Sequence, residues 1–248
     1  MKNNHIACEY KDNKALIATI SIYVLFGFII LYPAFLILCS VCGYRFEVTY
    51  PTFYCAGGVV IAIATVVLNI IFKKHVKSDK ALLLCSLSPF FALISTAIFG
   101  FNYCTLTAMI CMLLIAICCC SLAVTHVKDA KGKILTIIIF LLPFVITLFF
   151  LVICLFAGNI GENTVLKTVD SPDGSQYAQI ISIDQGALGG NTVVDVHKNK
   201  KPIKLLIFKI SKKPQRVYIG EWGEFKDMEV HFKSDDCLVI NSIEYEIK

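Results

Sequence analysis

The chain has 248 residues, 57% of them hydrophobic, with a mean hydropathy of +0.73 and a formal net charge of +5. Soluble globular chains are roughly 45–50% apolar, so an ordinary water-soluble domain is excluded. Residues 159–248 carry 12 basic against 13 acidic side chains, so the positive charge lies in the first two-thirds and gives no argument for a nucleic-acid partner.

Five runs free of Asp, Glu, Lys and Arg lie at residues 15–39, 56–72, 81–100, 105–124 and 134–157. A helix needs about 20 such residues to cross the hydrocarbon layer, so a bundle of five transmembrane helices is predicted. The second run is the shortest, with Tyr54 and Lys73-Lys74 as interfacial anchors. The first run exceeds the 7–15 residues of a signal core. Leu36-Ile37-Leu38-Cys39 resembles a lipoprotein cleavage box, but Leu38 stands where a small residue belongs, so the run is expected to remain a span.

Pro33, Pro89 and Pro143 lie within runs. Each frees a carbonyl and predicts a kink, read as packing shape rather than as a gating hinge. No Asp, Glu, Lys, Arg or His sits at membrane depth. Asn69 is the sole amide well inside a run and is read as helix–helix glue. An ion-coupled pump is disfavoured, and a neutral-solute permease component stays as a second alternative.

Lysines mark the loops. Lys2, Lys11 and Lys14, then Lys73, Lys74, Lys77 and Lys80, then Lys128, Lys131 and Lys133 fall on one side, whereas Arg45 and Lys167 fall on the other. Cytoplasmic loops carry the excess. A multi-pass protein of the bacterial cell membrane is expected, with its N-terminus cytoplasmic and its C-terminal domain extracytoplasmic.

Gly158-Asn159-Ile160-Gly161 ends the last helix, and residues 159–164 form a linker. From residue 165 to 248 the period is that of strands, at 165–169, 177–184, 192–197, 203–210, 216–221, 228–232, 237–240 and 243–247. Ser171-Pro172-Asp173-Gly174 suits a type I turn. Eight short strands predict a small all-β antiparallel domain. Residues 198–213 hold seven lysines around an apolar strand. The preferred reading is protection of an edge strand; the other is a basic hairpin touching anionic headgroups or wall polymers.

Of 12 cysteines, Cys39, Cys42, Cys55 and Cys104 fall at the outer membrane edge. Cys39-Ser40-Val41-Cys42 has thiol-redox spacing. The alternative function is therefore a membrane thiol–disulfide oxidoreductase, with a quinone as acceptor and the only cofactor any reading requires. The simpler reading is small apolar filler, as in Cys118-Cys119-Cys120, which cannot share one face. The five histidines are scattered without metal-ligand spacing, so no metal is expected. There is no Gly-x-Ser-x-Gly elbow, and the loop from Gln185 to Gly190 lacks the lysine of a phosphate loop. The candidate binding surface is Gly186, Gly189, Gly190, Asn191 and Trp222, since glycines admit close approach and tryptophan anchors interfaces.

The turn at Ser171-Pro172-Asp173-Gly174, the stretch from Asp184 to Val194, the stretch from Arg216 to Gly223 and the ending with Val239-Ile240-Asn241 together resemble an uncharacterised family of membrane-anchored proteins from low-GC Gram-positive bacteria, domain of unknown function 5412. The resemblance covers about residues 165–248; the five-helix front is longer than is usual in that family. It implies a β fold outside the membrane and carries no catalytic residues. The expected function is display of the β domain for binding a ligand, envelope component or partner protein, with membrane lipid around the helices and the oligomeric state open.

Overall fold

The computed structural model describes residues 2–72, 76, 78–103, 105–157, 162–184 and 189–247. Five helices are followed by a domain of antiparallel sheets, so the chain is a polytopic membrane protein with a C-terminal all-β domain. The helices are α1 (Lys2–Val41), α2 (Pro51–Phe72), α3 (Asp79–Asn102), α4 (Leu106–His126) and α5 (Ala130–Ala157). All five are long and apolar enough to cross a membrane.

The helix ends follow local chemistry. Gly43, at φ +77, closes α1 in the left-handed conformation that such a cap requires. Helix α2 starts at Pro51, five residues before the apolar run, because proline suits the first helical position. Its 22 residues give roughly 33 Å, so the second span is not short. Ser78 caps α3 by accepting from Ala81 N, with Asp79 in the first turn. The Asp129 carboxylate accepts from Gly132 N at 2.6 Å at the start of α5.

One compact unit comprises Met1–Phe35 and Tyr50–Leu155. Its interior is held by small residues and hydroxyls, as expected where lipid removes the hydrophobic drive between helices. A Cβ on Gly58 would run into the Phe28 ring and Ile115, so α1, α2 and α4 meet closely there. Asn69 is fully buried and donates to Thr65 O (2.9 Å) and Ser21 Oγ (3.2 Å), while its Oδ1 lies 3.2 Å from His126 Nε2. The amide thus joins α2 to α1 and α4.

All three prolines lie inside helices that continue past them. Pro33 cannot donate to the Ile29 carbonyl four residues earlier, and buried Ser95 of α3 donates its hydroxyl there at 2.7 Å. Pro89 frees the Cys85 carbonyl in the same way, and Ser88 Oγ donates to it at 3.0 Å. Two of the freed acceptors are therefore satisfied by serines, one of them across a helix pair.

The second unit comprises Leu36–Thr49 and Phe156–Lys248. It contains β1 (Tyr44–Val48), β2 (Glu162–Asp170), β3 (Gln176–Asp184), β4 (Gly190–Lys198), β5 (Ile203–Leu205), β6 (Phe208–Lys212), β7 (Gln215–Glu221), β8 (Val230–Ser234), β9 (Cys237–Ile240) and β10 (Ile243–Glu246). Three antiparallel sheets have the orders β2-β3-β4-β7, β10-β9-β8 and β1-β6-β5. The first two enclose a core of Ala178, Ile180, Val194, Val196, Leu238 and Ile240. In β3 the burial alternates, with Ala178 and Ile180 inward.

Besides the longer α2, three features differ from the sequence expectation. β2 begins at Glu162, inside the expected linker. Residues 203–210 do not form one strand: Leu205 pairs with Phe208 across a two-residue turn, with Leu206 at φ 47. An unbroken apolar run hid that turn, because neither Leu206 nor Ile207 is a turn-forming residue. The connection between α1 and α2 is also a strand. β1 pairs with β6 in the register Tyr44↔Lys212 to Val48↔Phe208. Four spans, α2 to α5, separate these strands in the chain. An even number of crossings returns the chain to the side it left, so the pairing agrees with all four helices crossing.

Candidate functional site

The candidate residues are gathered by strand register. Asp184 at the end of β3 pairs with Gly190 at the start of β4, and Ile183 pairs with Asn191. Asn191 in turn faces Glu221, the last residue of β7, which places Trp222 next. A Cβ on Gly190 would meet the carbonyl oxygen of Ile183 and lie 2.5 Å from Trp222 Cδ1. Only glycine lets the indole lie on this backbone. Gly189 (φ +91) precedes it; Gly186 lies outside the described residues.

The surroundings are partly apolar and partly acidic. Trp222 is 58% exposed and Ile219 63%. Glu224, in a single 3-10 turn (Glu224–Lys226), accepts from Tyr218 Oη at 2.8 Å and from Glu221 N at 3.1 Å. The bond to Glu224 holds the Tyr218 phenol above its ordinary range. β7 is an edge strand, with an irregularity in its ladder to β4 between Val194 and Asp195. Edge strands offer backbone donors and acceptors to an incoming strand.

The face of β4 that carries Asn191 and Val193, the partner of Ile219, also carries a polar cluster. Asp195 is 5% exposed and accepts two bonds from Arg216, Nε at 2.8 Å and Nη2 at 3.0 Å. His197 stacks on Tyr177 with ring centroids 4.9 Å apart, and its Nε2 is buried without a hydrogen-bond partner. Burial, with a smaller contribution from Arg45, pushes its imidazole below the ordinary range against the pull of Asp195.

The proposed redox cysteines have a different character. Cys39 is buried in the last turn of α1, Cys42 is exposed just beyond it, and Cys55 is buried in α2; all three are free thiols. Cys104 lies outside the described residues. The Cys39–Cys42 pair therefore closes a helix, whereas activated thiols of this spacing sit at a helix N-terminus. No group of three or more His, Cys, Asp or Glu suited to a metal gathers among the described residues. Between α3, α4 and α5 there is an apolar cavity of about 180 Å³, lined by Ser86, Pro89, Ala123, Thr136 and Pro143 among others. Sites that enclose a whole small molecule measure roughly 300–1,000 Å³, so this cavity does not favour a solute path.

Comparison of the chain with protein-family models, with curated proteins and with solved structures gives no match in any of the three.

Proposed function

We propose that this is a bacterial membrane-anchored binding protein whose β domain, on the extracytoplasmic face, captures an extended segment of a partner protein along the β7 edge. The lysine-rich loops on the opposite side support that orientation. The observation that carries the binding role is that β7 is an edge strand with two exposed apolar residues, Ile219 on one face and Trp222 on the other just past its end. An added strand would gain main-chain hydrogen bonds from β7 and side-chain anchoring from these two residues.

A photo-crosslinking residue at Ile219 in living cells tests the role. A discrete protein adduct is expected, lost in the Trp222→Ala background and absent when the probe replaces Glu246 on β10. Equal labelling at both positions, or an adduct indifferent to Trp222, refutes it. Trypsin added to intact cells should also release a C-terminal epitope tag, and a tag protected until the cells are opened overturns the orientation.

A further inference from the structure

The β5–β6 hairpin is fastened at both ends to the connection between α1 and α2. At one end Lys213 N donates to Gly43 O at 3.0 Å, and Lys213 Nζ donates to Ser40 Oγ at 2.7 Å, in the last turn of α1. At the other end Thr49 N donates to Ile207 O at 2.7 Å, two residues before Pro51 opens α2. Both helices are membrane spans. β6 is thus hydrogen-bonded at both ends to the short connection between two membrane spans, within a few residues of each, and β5 is its outer neighbour.

The side chains of this hairpin suit that position. Leu206 at the tip is fully exposed, and Ile203 and Leu205 are 57% and 53% exposed. Three exposed aliphatic residues on one short hairpin find no cover in the domain itself. At the far end of β6, Lys198 and Lys200 stand near Lys212, and Lys198 chiefly, then desolvation and lastly Lys200, push the Lys212 ammonium below the ordinary lysine range. The ion pairs of this sheet are Arg45–Glu47 (2.7 Å) and Lys209–Glu47 (3.2 Å). Among the described residues, Lys198, Lys200 and Lys212 have no acidic partner.

We propose that the hairpin is a lipid-binding element: Lys198, Lys200 and Lys212 take the phosphates of anionic phospholipids in the leaflet that α1 leaves and α2 re-enters, and Leu205 and Leu206 enter its interfacial layer. The lysines, Lys200 and Lys212 exposed and Lys198 half-buried, supply the attraction to negative headgroups, and the aliphatic tip supplies depth. The contact is independent of what binds at β7. It makes the hairpin a second anchor, which holds the domain down on the bilayer.

Trp222 is the sole tryptophan, so the full-length protein carrying Trp222→Phe and Leu206→Trp has one reporter at the tip. The Leu206 side chain stands in open space, which leaves room for the indole. In vesicles of phosphatidylcholine and phosphatidylglycerol, the emission should be blue-shifted, quenched by brominated phospholipid and protected from iodide. A reporter at exposed Asp227 in the same background should behave oppositely. Lys198→Gln, Lys200→Gln and Lys212→Gln together should lower lipid quenching to the level seen with phosphatidylcholine alone. Water-like emission at position 206, quenched by iodide as readily as at position 227, overturns the insertion. Lipid quenching unchanged by the three glutamines overturns the headgroup role.

Discussion

The Asp195–Arg216 pair predicts an asymmetry between its two partners. The Asp195 side chain is 7% exposed and that of Arg216 47%. Arg216→Ala leaves a carboxylate almost out of water with both charge-assisted bonds lost, a cost of about 3–5 kcal/mol. Asp195→Ala leaves a guanidinium that is half in water already and rehydrates, so the loss is about 1 kcal/mol. For a domain of this size, 1 kcal/mol moves the melting temperature by about 4–8 °C. Arg216→Ala should therefore lower the melting of the β domain by more than about 12 °C and Asp195→Ala by about 4–8 °C. Replacing both with leucine should cost less than Arg216→Ala alone, since no charge is then stranded. Trp222 emission in the detergent-solubilised full chain reports the transition. Equal shifts for the two alanine variants, or a larger one for Asp195→Ala, would refute the reasoning.

Three further outcomes follow from the same structure. His197 is held neutral in the folded domain, chiefly by burial, so the unfolded chain protonates first as pH falls through about 6.5. Stability should be full above that value and decline below it, and His197→Phe, which keeps a ring against Tyr177, should flatten the decline; an unchanged slope of melting against pH excludes this role. Gly190→Ala would press a methyl group on the Ile183 carbonyl and the indole, costing about 1–3 kcal/mol and shifting Trp222 emission; normal melting with unaltered emission would contradict the close approach. Ser95→Ala strands the Ile29 carbonyl and should cost about 1–2 kcal/mol in a denaturing-detergent titration of the bundle. The cost should mostly vanish beside Pro33→Ala, which restores the missing N–H, and equal costs in both backgrounds would show that the serine does not serve the proline.

The apolar runs made the five spans legible, because a stretch without charge has few other places to lie. The start of α2 was less so: residues 51–55 are not uniformly apolar, and only Pro51 signals the first turn. The strands with strict alternation, such as β3, stood out, whereas β1 did not. Five residues with one Arg and one Glu between two helices read as a loop, since their partner strand lies beyond four spans. The hairpin at Leu206 was hidden because its turn lacks glycine, asparagine and proline. Gly190, Asn191 and Trp222 were each visible as unusual residues; their meeting depends on cross-strand register, which a single sequence does not print. The serine beneath Pro33 was silent for the same reason, since Ser95 belongs to another helix, whereas Ser88 adjoins Pro89 in the sequence.

Because β1 is made before α2 and its partner β6 after α5, the emerging chain must insert four helices while this strand waits unmatched at the surface. That sheet can close only after β6 has followed α5 out, which makes it a long-range step in assembly. The same dependence bears on dissection of the molecule. A fragment that starts after α5 would leave β6, an interior strand in the whole protein, as an open edge prone to sticking to its neighbours. The β domain is thus encoded in two places, and a soluble version would need residues 43–49 grafted back beside the hairpin.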